Sequence, residues 1–216
     1  MSGNIFPKWV DTIRPVVGAV LLGAPVYILA LVYFGFWPTT RVVGHMPKQP
    51  VPYSHAVHVG QLGMDCRYCH TTVEKAGFAA IPPTQTCMGC HKQVRAESPK
   101  LLPVRESYGS GNPVPWVKVH DLPDFVYFNH SAHVTRGVGC VECHGRVDQM
   151  EEVYQAKPLS MAFCLDCHRN PDARLRPPEF VTKMDWTPPG DPAETGRQVR
   201  QALQINPSTD CSTCHR

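Results

Sequence analysis

From Val16 to Trp37 the chain runs for 22 residues without a charged side chain. At a helical rise of 1.5 Å per residue such a run crosses a hydrocarbon core of about 30 Å. Pro25 lies mid-run, where a membrane helix tolerates it with a kink. Tyr33 and Trp37 near its end suit an interfacial belt. A cleaved signal has a shorter apolar region ending in small residues, and Phe34-Gly-Phe-Trp37 offers no such site. The pattern predicts an uncleaved transmembrane helix. Lys8 and Arg14 ahead of it favour a cytoplasmic N-terminus, a signal blunted by Asp11 and Arg41.

The rest of the chain reads differently. Its share of the 22 prolines and 16 glycines favours turns and extended connections over long elements. Short helices near the cysteine clusters, irregular loops between them and little or no sheet are predicted.

The ten cysteines change the picture most. All lie in five Cys-x-x-Cys-His pentads: Cys66–His70, Cys87–His91, Cys140–His144, Cys164–His168 and Cys211–His215. Zinc sites and redox pairs use Cys-x-x-Cys, but neither these nor disulfides explain a histidine after the second cysteine five times out of five. The spacing is that of c-type haem attachment. Cys66, Cys69, Cys87, Cys90, Cys140, Cys143, Cys164, Cys167, Cys211 and Cys214 would bond the two vinyl groups of each macrocycle, with the adjacent imidazole on the iron. Five covalently bound haem c groups are therefore expected. At roughly 35 residues per haem, porphyrin faces must supply apolar interior that side chains normally supply. The run Phe125-Val-Tyr-Phe128 reads as haem packing.

Haem attachment to exported thiols places the body after Thr39 on the outer, periplasmic face of a bacterial cytoplasmic membrane, with one anchoring helix. The formal net charge of +3 would be more than reversed by the ten propionates of five haems if most stay ionised, so charge does not identify a partner. No basic-aromatic stripe points to nucleic acid.

Six further histidines remain, and four fall in a duplicated phrase. Tyr53-Ser-His55-Ala-Val-His58 precedes Cys66, and Phe128-Asn-His130-Ser-Ala-His133 precedes Cys140. The first histidine lies 11 residues before its pentad in one copy and 10 in the other. Each copy holds two pentads, which makes an internal repeat of about 75 residues. Histidines at i and i+3 on a helical turn lie on adjacent faces and can reach different irons. His55, His58, His130 and His133 thus provide second imidazoles for two haems per module. Coordinatively full irons suit electron transfer rather than substrate binding.

These phrases resemble the multihaem cytochromes of the c3 and c7 group. That resemblance implies pairing of His55 with His70 and of His130 with His144. It leaves His58 and His133 most simply for the irons of His91 and His168. The whole pattern, with Ile81-Pro-Pro-Thr-Gln-Thr-Cys-Met-Gly-Cys-His91, Val119–His130 and Leu159-Ser-Met-Ala-Phe-Cys-Leu-Asp-Cys-His168, is similar to the pentahaem cytochrome subunit of alternative complex III. The implied function is electron relay within a quinol-oxidising complex. Its implied partners are integral quinol-oxidising subunits, an iron–sulfur subunit, and a monohaem cytochrome c, a small soluble carrier or a terminal oxidase. No substrate chemistry is expected in the chain itself. The expected organisation is 1–40 cytoplasmic stub and anchor, 41–119 and 120–185 dihaem modules, and 186–216 an extension carrying the fifth haem. The fold class is mainly irregular with short α-helices organised around five haems.

His215 is followed by Arg216 alone, so no residue after the fifth pentad can be its second ligand. That ligand would come from earlier in the chain or from another subunit, or be absent; the candidates within the chain are Met161, three residues before Cys164 where the first module has Thr84, and His120, with His45 read as a surface residue. A thioether ligand would raise that haem's potential; Met161 could equally pack against a porphyrin. Two other functions fit parts of the pattern: a membrane-anchored quinol dehydrogenase feeding a periplasmic reductase, and a catalytic reductase of nitrite, hydroxylamine or a sulfur oxyanion. The extra pentad and the duplicated phrase weigh against the first. Near-matching of spare ligands to irons weighs against the second.

Overall fold

The structure, a computed structural model, describes Pro7, residues 9–36 and residues 42–215. Lys8, Trp37 and Arg41, invoked for the anchor, lie outside them. Contacts divide the chain into one compact unit up to Val43 and a second from Gly44 onward.

The first unit is helix α1, Trp9–Leu31, which contains Pro15 and Pro25 and continues into a π-helical turn, Val32–Phe36. None of α1 is buried, and the span Trp9–Gly35 is long and apolar enough to cross a membrane. Its exposed Leu21, Leu22, Val26 and Leu29 would make such a helix costly in water.

The second unit is a string of short helices with no sheet among the described residues. Two isolated antiparallel bridges, Val126 with His215 and Val138 with Leu175, are its nearest approach to strand pairing. Every pentad is helical where its thiols lie. Helices α2 (Cys66–Cys69), α6 (Cys140–His144) and α9 (Cys211–Cys214) begin on the first cysteine. Helices α3 (Thr84–His91) and α7 (Met161–Arg169) begin three residues earlier. Local chemistry sets these starts. Asp65 accepts from Arg67 N at 2.9 Å, and Ser160 accepts from Phe163 N at 3.3 Å, each an N-cap that leaves a cysteine in the first turns. Helix α5 (His130–Val134) is capped by Asn129. Helix α4 (Leu102–Ser110) ends at Gly111, whose φ of 76° only glycine adopts freely.

Few side chains are fully buried. Val51, Met88, Val104 and Val114 form one small core, with Cys87, Leu101 and Trp116 packed against it. Helix α8 (Pro192–Ala202) lies on the turn Asp172–Arg174, brought close by buried Gly196. Large apolar groups such as Phe78, Phe125, Tyr127 and Met161 stay exposed. An interior this thin, with aromatic rings left facing outward, is what a chain packed around large apolar groups needs.

The repeats interlock by a reciprocal exchange. Ala56 N donates to Met150 O at 3.0 Å, and Ser131 N donates to Ala76 O at 3.2 Å. Ala56 and Ser131 each follow the first histidine of their phrase, and Ala76 and Met150 each lie six residues past a pentad histidine. Each histidine phrase is thus seated on the loop between the other repeat's two pentads. The first cysteines of the corresponding pentads, Cys66 and Cys140, meet side chain to side chain.

Candidate haem-attachment sites

A helical turn puts the two thiols of a Cys-x-x-Cys pair, at i and i+3, on one face. None of the ten is in a disulfide. Burial, with the nearby Cys167 and Cys164 thiols, pushes Cys143 up to about 11; burial also raises Cys87, Cys164 and Cys167. Among the described residues no three His, Cys, Asp or Glu side chains gather as a bare metal site.

Seven imidazoles share one device. Nδ1 meets a backbone carbonyl in His70 (Ala80 O, 2.9 Å), His91 (Val94 O, 2.8 Å), His168 (Ser208 O, 2.6 Å) and His215 (Phe125 O, 3.2 Å). The same holds for His58 (Ser54 O, 2.8 Å), His130 (Gly77 O, 2.9 Å) and His133 (Asn129 O, 2.7 Å). A carbonyl only accepts, so Nδ1 carries the proton and Nε2 keeps a free lone pair. That is the tautomer of a metal-ligating histidine with its outer hydrogen bond in place. Burial first, then neighbouring imidazoles, holds His55 down to about 4 and His144 to about 3; burial also lowers His120 and His133. They stay neutral, as ligation requires.

Pairing is the stronger test of fit. Two imidazoles on opposite sides of one iron, with bonds of about 2 Å, hold their ring centroids roughly 6.3 Å apart. His58 and His91 lie 6.1 Å apart, His133 and His168 6.1 Å, and His130 and His144 6.4 Å. The residues present fit the group. The repeats build the site alike: Tyr53 stacks on His58 at 4.5 Å and meets His55 edge-on at 4.8 Å, while Phe128 stacks on His133 at 4.6 Å and meets His130 edge-on at 4.8 Å. One aromatic ring thus sets the orientation of both histidines of its phrase. His55 Nδ1 is buried without a partner, and His70 is among the groups lowering its basicity.

His120 is one candidate second ligand for the fifth pentad; its ring lies 4.4 Å from that of His144, with Nε2 buried and unpartnered. His45 is exposed, and its carbonyl accepts from Gln155 N at 3.0 Å. The two share a signal that the phrase-by-phrase reading missed: each stands ten residues before the first histidine of its phrase. The repeat therefore carries three histidines, not two. Met161 is 66% exposed and one helical turn before Cys164, whose thiol is raised by burial and then by Cys214 of the last pentad.

The third attachment helix has a dedicated clamp. Arg176, with its side chain 7% exposed, donates from Nη2 to Glu142 at 3.0 Å and from Nη1 to Lys183 O at 3.0 Å. Its guanidinium lies 5.3 Å from the Trp186 ring and flat against Gly139, where a β-carbon would sit 2.4 Å from Cζ. Nothing in the linear pattern marks Arg176.

Residues 126–216 match the family described as cytochrome c7 and related cytochrome c. This part of the chain is cytochrome c7-like. Covalent haem c is what that family implies for its pentads. The chain is also 38% identical over 118 residues to the menaquinone reductase multihaem cytochrome c subunit of Nitratidesulfovibrio vulgaris. That match covers 54% of this chain and 55% of the relative, so it spans about half the length of each.

Proposed function

We propose that this chain is a pentahaem cytochrome c, anchored by α1, that relays electrons on the outer face of the membrane as part of a quinol-oxidising complex of the alternative complex III type. One observation carries the reading: three imidazole pairs stand 6.1–6.4 Å apart, and His58, His91, His130, His133 and His168 among them have their outer nitrogens tied to backbone carbonyls. When bound, c-type haem supplies one-electron iron chemistry at a potential set by its axial ligands and surroundings. The ten cysteines hold the macrocycles. His70, His91, His144, His168 and His215 are the proximal ligands, and His55, His58, His130 and His133 fill the second positions of the first four. Met161 is the second ligand assigned to the fifth, supported by its place on the helix of Cys164 beside Cys214. His120 then belongs with His144, as an imidazole held against the third site. The proposed partners are integral quinol-oxidising and iron–sulfur subunits on the donor side, and a monohaem cytochrome, a soluble carrier or a terminal oxidase on the acceptor side.

The relative's name favours a second reading, direct exchange with the menaquinone pool. Purified, export-matured chain separates the two. The relay reading expects a mass carrying five covalent haems, a low-spin spectrum and no menaquinol oxidation without its partners. Sustained menaquinol oxidation by the isolated chain would favour the second reading, and fewer than five haems would overturn the pentahaem assignment.

A further inference from the structure

We infer that the five sites form one unbranched series in the order second, first, third, fourth, fifth pentad, with contact to other proteins at its two ends. This rests on the pentahaem reading and adds the path through it.

Four junctions define the series. The first and second pentads share the turn of His55 and His58, whose rings both lie on Tyr53; the His58 ring reaches His91 of the second pentad. His130 and His133 share α5 in the same way, and reach His144 of the third pentad and His168 of the fourth. The first and third pentads are joined by residues 181–182: Cys140 N donates to Val181 O at 2.9 Å, Cys66 Sγ lies 4.0 Å from Thr182 O, and Thr182 Oγ1 donates to Asp65 at 2.8 Å. His130 Nδ1 crosses the same junction to Gly77 O. The fourth and fifth pentads are joined at Ser208. Its carbonyl accepts from His168 Nδ1 at 2.6 Å, and its hydroxyl lies 2.9 Å from Thr213 Oγ1 and 3.3 Å from the Asp210 cap of the last pentad.

Sequence order alone would join the second pentad to the third. The reciprocal seating of the repeats joins the first to the third instead, because the two corresponding helices α2 and α6 meet where the repeats exchange contacts. The second and fourth pentads are then displaced to opposite sides, and the fifth extends the fourth. An independent observation marks the same ends. Of the ten cysteines, Cys90 of the second pentad and Cys211 of the fifth are exposed, while the other eight are half-buried. The interior three sites therefore exchange electrons within the chain, and the second and fifth exchange them with partners.

Stepwise redox titration of the full, haem-loaded chain followed by the proton NMR lines of the haem methyl groups tests the order. Each set of lines is assigned by its loss when one attachment pair is replaced. A charge on one site shifts the titration midpoint of its neighbours. Cys140→Ala with Cys143→Ala should shift the midpoints of the first and fourth sites and leave the second and fifth in place. Cys211→Ala with Cys214→Ala should shift the fourth alone. A shift of the second site without the first, on removing the third, would overturn the order. If an attachment variant does not fold, His130→Met in the otherwise complete chain changes a ligand of the third site only, and the midpoints of the first and fourth sites should respond while those of the second and fifth stay in place. A wild-type chain whose mass shows fewer than five haems would instead refute the pentahaem reading, so the two failures are distinguishable.

Discussion

Arg176→Met isolates the clamp beneath the third attachment helix. The substitution keeps an apolar stem of similar length but removes the donors to Glu142 and Lys183 O, both at 3.0 Å. A hydrogen bond to a charged group is worth about 1.5–3 kcal/mol, and the lost cation–π contact with Trp186 adds about 0.5–2 kcal/mol. The Glu142 side chain is 26% exposed, so water recovers part of its solvation; removal of one partner from a fully buried pair costs about 3–5 kcal/mol, and this case falls at the lower end. A loss of about 3 kcal/mol is expected. Urea unfolding of the haem-loaded chain, read by far-UV circular dichroism, should show a lower midpoint with an unchanged slope. Glu142→Gln alone should cost less, and the double variant should lie at least about 1 kcal/mol from the sum of the singles. A loss below about 1 kcal/mol, or strict additivity, would show that Arg176 is not clamping α6.

Gly196→Ala should be among the most damaging small substitutions, since its β-carbon would fall 1.5 Å from Asp172 O and force α8 off its turn; a cost above about 2 kcal/mol, seen as a fall in Tm, is expected. The bond from Arg67, helped by Thr182, holds the Asp65 carboxyl down to about 2, below its ordinary value near 3.9. Between those values the unfolded chain binds the extra proton, so this contribution is present above about pH 4 and fades as pH falls towards 2. The Asp65 side chain is 37% exposed, so solvent screens the pair and keeps the effect small; comparing urea midpoints of wild type and Asp65→Asn at pH 5 and pH 2.5 should show the gap closing in acid. Met161→Ala should change the spectrum of the fifth haem alone, and His120→Ala that of the third alone; a change at the fifth haem in His120→Ala would reverse those assignments.

The pentads and the apolar run were legible because each is a local pattern with a local cause. Covalent attachment fixes the Cys-x-x-Cys-His spacing, and bilayer thickness fixes the length of an apolar helix. The absence of a sheet among the described residues followed from the same proline and glycine punctuation. The histidine phrases were visible as a repeat, but not what they rest on. Met150 and Ala76 carry no chemical mark, since what they contribute is a backbone carbonyl. The junction at Val181 and Thr182 lies over a hundred residues from Asp65 and Cys66, and Arg176 is one arginine among many. The shared spacing of His45 and His120 was present in the linear chain. It was obscured because the segments that follow, Met46-Pro-Lys and Asp121-Leu-Pro, do not look alike.

Mutual seating of the two histidine phrases has a corollary for assembly. Half-length chains, each with one phrase and two pentads, could make the same exchange only by associating as a pair around a two-fold axis. In the single chain the same exchange makes each half the seat of the other half's histidine phrase, so neither carries all the contacts of its own phrase.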